Sequence, residues 1–251
     1  MVFSEIITWF KGIDWLANAL GVGIPLAGGT LAVWKWRERR KQPRTFQAYV
    51  AKTLPSPFDP SKLQSVATIA IVDDNLSDFP VAELKKAGFN VKTYKQVTLA
   101  DFDVIAKFDV VFLDMRDIVK DDPMEGGLKL IHTLRNKNPR QKICAVSSKK
   151  FDPAATAFFK QADDVQNKPI SAHKCQQVIY SFLHEKFDPH VLAQMLDSSF
   201  NGTLTGDSAV LLEQVRKAVE THSLLNETTI PSSVSQVNRS LAIDLVRAIN
   251  S

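Results

Sequence analysis

From Val66 onward the chain is built from short, β-branched apolar runs, each ended by residues with chemistry of their own. VATIAIV (66–72) runs into Asp73-Asp74, DVVFL (109–113) into Asp114, KICAVSS (142–148) carries Ser147 at its end, and the more polar DDVQNKP (163–169) reads as a short strand closed by Lys168-Pro169. Such runs are the signature of strands buried on both faces. Between them VAELKKAG (81–88), GLKLIHTLRNKN (127–138), ATAFFKQA (155–162) and SAHKCQQVIYSFLHEKF (171–187) have helical spacing, and FNVKTY (89–94) alternates like a further strand. Strands alternating with helices at these intervals predict an α/β fold: a five-stranded, doubly wound parallel sheet over residues 66–187. Ligands bind such sheets at the carboxyl ends of the strands, where all of these polar residues fall.

Carboxylates gathered at one edge repel one another unless a hard cation lies between them. Mg²⁺ suits that place, because it prefers oxygen ligands. A carboxylate beside the ion can act as a nucleophile toward a phosphoryl group, while a hydroxyl and a compact ammonium group bind the transferred oxygens.

The segments IVDD (71–74), VVFLDM (110–115), AVSS (145–148) and NKP (167–169), in this order and at these gaps, resemble the receiver domain of bacterial two-component response regulators. The resemblance covers about half of the chain, from Val66 to Phe187. It implies that Asp114 is the phospho-acceptor, Asp74 the direct metal ligand and Asp73 its partner through water. The backbone carbonyl of Arg116 completes the protein's share of the Mg²⁺ shell, Ser147 is the switch hydroxyl, and Lys168 contacts the phosphoryl group. A cis peptide is implied at Lys168-Pro169, where cis is cheap. The implied partner is a histidine kinase or a phosphotransfer protein, with no enzymatic turnover beyond self-phosphorylation and dephosphorylation of Asp114. The rival reading is a pseudo-receiver scaffold that binds partners without phosphate.

Three departures from the family pattern stand out. The loop after Asp114 is several residues longer (RDIVKDDPMEGG, 116–127) and adds Asp117, Asp121, Asp122 and Glu125 near the site. Pro80 truncates the first helix, since proline fits only a first turn. The position of the usual aromatic switch residue falls near Val165 or Gln166, and neither is aromatic.

Ahead of this block, Trp15 to Trp34 (WLANALGVGIPLAGGTLAVW) is a stretch of twenty residues without a formal charge. At about 1.5 Å per residue a helix of that length covers roughly the 30 Å hydrocarbon core of a bilayer. Glycines and Pro25 are tolerated in membrane helices, and Trp15, Trp34 and Trp36 fall where indole rings favour the interface. The net charge of +4 is located next to it: residues 35–44 carry six basic side chains against Glu38, so the rest of the chain sums to −1. A localised run of this kind argues against a nucleic-acid-binding face. Under the positive-inside rule it predicts a single-pass protein of the bacterial inner membrane, N-terminus outside and everything after Lys35 cytoplasmic. Ala19, Gly23 and Ala27 form a small-residue stripe through which two such helices could pack as a homodimer.

The expected organisation is therefore an N-terminal segment (1–41) with a transmembrane helix at 15–34, a proline-rich linker (42–65), the receiver-like domain (66–187) and a helical C-terminal region (188–251). In that region DPHVLAQMLDSSF (188–200), DSAVLLEQVRKAVETHSLL (207–225) and SLAIDLVRAIN (240–250) read as helices for partner contact, dimerisation or packing on the sheet domain. His184 and His222 sit on helices without a second ligand at useful spacing. Cys144 and Cys175 lack metal-ligand spacing, so zinc is not supported and a reducing compartment is the default.

Overall fold

The computed structural model describes residues 43–54, 57–148, 153–201 and 206–251. Its five strands are β1 (Thr68–Val72), β2 (Asn90–Tyr94), β3 (Val110–Leu113), β4 (Lys142–Ser147) and β5 (Asp164–Asn167). All neighbours pair in parallel in the order β2-β1-β3-β4-β5, the flavodoxin-like doubly wound order. β3 is buried along its whole length, as is nearly all of β1. Period-2 alternation sends successive residues to opposite faces. Ile69, Ile71, Phe112, Cys144 and Val146 pack on one side with Leu84, Ile179, Phe182 and Phe187. Ala70, Val72, Val111, Leu113, Ile143 and Ala145 pack on the other with Ile105, Leu130, Leu134 and Phe158.

The helices follow local signals. α1 (Phe46–Thr53) precedes the sheet. α2 (Val81–Lys86) is only six residues long, as Pro80 foretells, and ends before Gly88, whose φ of 95° suits glycine. α3 (Phe102–Ile105), α4 (Gly126–Lys137) and α5 (Pro153–Phe159) complete the crossovers. α6 (Ala172–Phe187) is capped by Ser171, whose hydroxyl accepts from the Lys174 N–H at 3.3 Å. α7 (Pro189–Ser199) begins with Asp188 as cap and proline in its first turn. α8 (Asp207–Glu220) and α9 (Gln236–Asn250) finish the chain.

Three expectations are corrected here. The segment 42–65 is not simply a linker. Phe46, Tyr49 and Val50 of α1 are buried with Leu192, Leu196, Leu211, Leu212, Val215, Leu241 and Leu245, and so α1 shares an apolar core with α7, α8 and α9. The helical region thus has one helix from before the sheet domain and three from after it. The last helix is also longer than 240–250, because the hydroxyl of Ser235 accepts from the Asn238 N–H at 3.2 Å and starts it a turn earlier. His222 lies beyond the end of α8 at φ 47°, not within a helix.

The expected transmembrane segment at 15–34 and the basic run up to residue 42 lie outside the described residues. Among the described residues no helix is long and apolar enough to cross a membrane.

Candidate functional site

Four strand ends converge at the carboxyl edge of the sheet. Asp73 and Asp74 follow β1, and Asp114 follows β3, its N–H donating to the Val72 carbonyl at 3.0 Å. Ser147 is the last residue of β4, and Lys168 follows β5, with a cis peptide to Pro169. Together Asp74, Asp114, Arg116, Ser147 and Lys168 line one pocket of about 270 Å³. Asp73 lies beneath it, fully buried.

The electrostatics centre on Lys168. Its ammonium group lies 2.5 Å from Asp73 Oδ2 and also pairs with Asp114 Oδ2, its side chain only 6% exposed. The remaining oxygens are held by the backbone: Asp73 Oδ1 accepts from the Asn75 N–H at 2.9 Å, and Asp114 Oδ1 from the Met115 N–H at 2.6 Å. Burial pushes the Asp73 carboxyl up to about 6, although the Lys168 ion pair opposes the rise. Burial works against the Lys168 charge too, but the Asp114 and Asp73 carboxylates outweigh it, and the amine titrates above an ordinary lysine.

Carboxylate oxygens of Asp73, Asp74 and Asp114 lie within 4.8 Å of one another. This set of hard oxygen donors, with the Arg116 segment on the same pocket wall, fits Mg²⁺. The ion would share Asp73 and Asp114 with the ammonium group of Lys168.

The long loop after Asp114 is well anchored. Ile118 and Val119 are fully buried, and Val97 and Val119 form an isolated parallel bridge. The Val97 N–H donates to the Ile118 carbonyl at 2.8 Å and the Lys120 N–H to the Val97 carbonyl at 3.0 Å. Of its four acidic residues only Asp117 lines the pocket, in the left-handed region at φ 58°. This corrects the expectation that all four crowd the site. Asp121 accepts from the Leu99 N–H at 3.2 Å, and Asp122 accepts from the Glu125 N–H at 3.1 Å and pairs with Lys129 at 2.6 Å.

Asn75, Asp78 and Ser148 also line the pocket, and sequence reasoning missed them. The available signal was the N-L-S-D turn after the acidic pair, since Asn and Asp favour such turns by bonding locally. Asn75 Nδ2 donates to Asp78 Oδ2 at 3.1 Å, and the Ser77 hydroxyl to Asn75 Oδ1 at 2.6 Å. Val165, one of the two positions nearest the expected aromatic residue, is 44% exposed.

No family model matches this chain, and no curated protein matches it. Among solved structures it is similar to the BeF3-activated DrrB receiver domain, at 22% identity and a TM-score of 0.37, covering 47% of this chain and 97% of that one. It is also similar to a CheY-like response regulator receiver domain from Methanospirillum hungatei JF-1, at 20% identity and a TM-score of 0.38, covering 48% and 95%. A response regulator from Thermotoga maritima is 24% identical with a TM-score of 0.36, covering 45% and 97%. The receiver-like α/β fold is carried by this chain's own strand order and crossovers.

Proposed function

We propose that this protein is a membrane-anchored signalling protein of the response-regulator type, phosphorylated on Asp114 by a histidine kinase or phosphotransfer protein. The observation that carries the reading is the placement of Lys168: one buried ammonium group pairs with both Asp73 and Asp114, and Ser147 lines the same pocket. An Asp114 carboxylate oxygen forms the bond to phosphorus. The donor's bond to phosphorus breaks, and its electron pair leaves with the donor. Lys168 and the Ser147 hydroxyl then bind phosphoryl oxygens, so catalysis is mostly positioning and electrostatics. Bound Mg²⁺ would supply charge neutralisation between Asp73, Asp74, Asp114 and the incoming group.

The membrane part of the proposal rests on the sequence of residues 15–44. A reporter active only outside the cytoplasm, fused after Ser251, is expected to be silent. Incubation of the full chain with acetyl phosphate and Mg²⁺ is expected to add the mass of one phosphoryl group as a labile acyl phosphate, lost in Asp114→Asn. Absence of label, together with no response to beryllofluoride, would favour the pseudo-receiver scaffold.

A further inference from the structure

At the end of the sheet away from the pocket lies a second charged cluster, partly buried and unused by the chemistry above. Asp109 accepts from Arg247 Nη1 at 2.9 Å and Nη2 at 2.8 Å, and from the Thr68 N–H at 2.9 Å and hydroxyl at 3.1 Å. Lys186 Nζ lies 3.3 Å from Asp244 Oδ2 and 3.7 Å from Asp109 Oδ1. Arg140 donates to Asp244 Oδ2 at 3.1 Å and to the Lys186 carbonyl at 2.7 Å. The Arg247 guanidinium also stacks 4.9 Å over the ring of Phe187. Asp109, Lys186 and Asp244 are each 4% exposed.

The members of this cluster come from particular places in the chain. Thr68 begins β1, which ends at Asp73 and Asp74. Asp109 precedes β3, which ends at Asp114. Arg140 precedes β4, which ends at Ser147. Lys186 lies at the far end of α6, which starts four residues after Lys168. Asp73, Asp74, Asp114 and Ser147 therefore stand at the ends of strands whose other ends meet this cluster, and Lys168 lies just ahead of the helix whose far end carries Lys186. At about 3.3 Å per residue, Asp114 is roughly 17 Å from Asp109 along a strand packed on both faces. Close-packed strands of this length transmit displacement rather than absorb it. The remaining members, Asp244 and Arg247, come from α9 of the helical bundle.

We infer that Asp244 and Arg247 are positioning residues for the acidic pocket: from α9 they hold β1, β3, β4 and α6 in register at one end and so set the spacing of Asp73, Asp74, Asp114 and Lys168 at the other. The bundle and the pocket are then coupled, and by linkage the coupling is reciprocal: whatever binds the pocket alters the hold of α9. The inference rests on the proposed function only in taking Mg²⁺ as the pocket's probe.

Calorimetric titration of the full chain with Mg²⁺ alone tests it. Arg247→Ala is expected to weaken Mg²⁺ binding about five- to tenfold, and Arg247→Lys, which keeps the charge but loses the two-pronged contact, by an intermediate amount. Leu211→Ala, an apolar core change in α8 that removes none of the cluster's charges, is expected to lower the melting temperature and leave Mg²⁺ affinity at the wild-type value. Wild-type affinity in a folded Arg247→Ala chain, or an equal loss in Leu211→Ala, overturns the inference. Should Arg247→Ala fail to fold, hydrogen exchange on the wild type decides. Amides of α9 are expected to gain protection when Mg²⁺ is added, and unchanged protection rejects the coupling. If the wild type binds no Mg²⁺, the proposed function fails first. Exchange at the Asp114 and Met115 amides then decides the positioning role: it should quicken in Arg247→Lys but not in Leu211→Ala, and equal rates would sink it.

Discussion

Asp73 is the residue whose chemistry is most altered by the fold. It is fully buried, and burial raises its pKa to about 6 against the pull of Lys168. An unfolded aspartate releases its proton near 3.9. Between about 4 and 6 the folded chain therefore holds a proton that the unfolded chain has lost, and stability contributed by this group falls as pH rises through that window. Asp73→Asn is thus expected to stabilise the metal-free protein at pH 7 by about 1–3 kcal/mol, read from denaturant midpoints, and to show no gain near pH 4. Mg²⁺ needs the ionised carboxylate, so its affinity for the wild type should decline as pH drops below about 6. A titration series between pH 5 and 8 checks this, and a flat profile would detach Asp73 from the metal. The acidic pair and its partners were legible as residues because each ends a strand-like run. Burial of Asp73 beneath exposed Asp74 was not, since both follow the same strand and only the packing around them tells them apart.

At the level of elements, one close approach sets the geometry around the site and another ties α1 into the bundle. A Cβ on Gly127 would lie 2.1 Å from the Met115 carbonyl oxygen, and one on Gly126 would lie 2.4 Å from Val119 Cβ. The start of α4 therefore packs directly on the segment that carries Asp114 and Arg116. Gly127→Ala must push backbone apart, and is expected to cost about 1–3 kcal/mol and to weaken Mg²⁺ binding; thermal melts with the same titration measure both. The second approach is at α1, whose first amides donate to a carboxylate from α7: Phe46 N–H to Asp197 Oδ1 at 2.9 Å and Gln47 N–H to Oδ2 at 3.0 Å. Asp197→Ala removes this cap at an expected cost of about 0.5–2 kcal/mol, seen as faster exchange in α1. The loop 116–127 shows what spacing cannot say. Its acids read as additions to the site, yet Asp121 and Asp122 serve neighbouring backbone amides and Lys129.

Across the whole molecule, Thr45–Ser251 forms one compact unit. The sheet domain and the bundle meet through the charged cluster of Asp109, Arg140, Lys186, Asp244 and Arg247, where loss of one partner strands the buried Asp109, Lys186 or Asp244. The unit is expected to unfold in a single transition by both far-UV circular dichroism and hydrogen exchange, and two separated transitions would show the bundle to be independent. Deleting residues 45–54 should expose the apolar core of α7, α8 and α9, detected as binding of a hydrophobic dye. The sequence by itself determined the parallel sheet, the helices on three of its four crossovers (the short one at Phe102–Ile105 was not legible) and the convergence of Asp73, Asp74, Asp114, Ser147 and Lys168. Each of those follows from periodicity over a few residues and from the rule that such strands present their carboxyl ends to ligand. Only the tertiary structure decided that α1 belongs to the C-terminal bundle and that α9 grips the sheet, because these contacts join residues 151 and 138 positions apart. Local pattern contains no term for such distances; they are set by which apolar faces and which buried charges remain to be matched once the strands have formed.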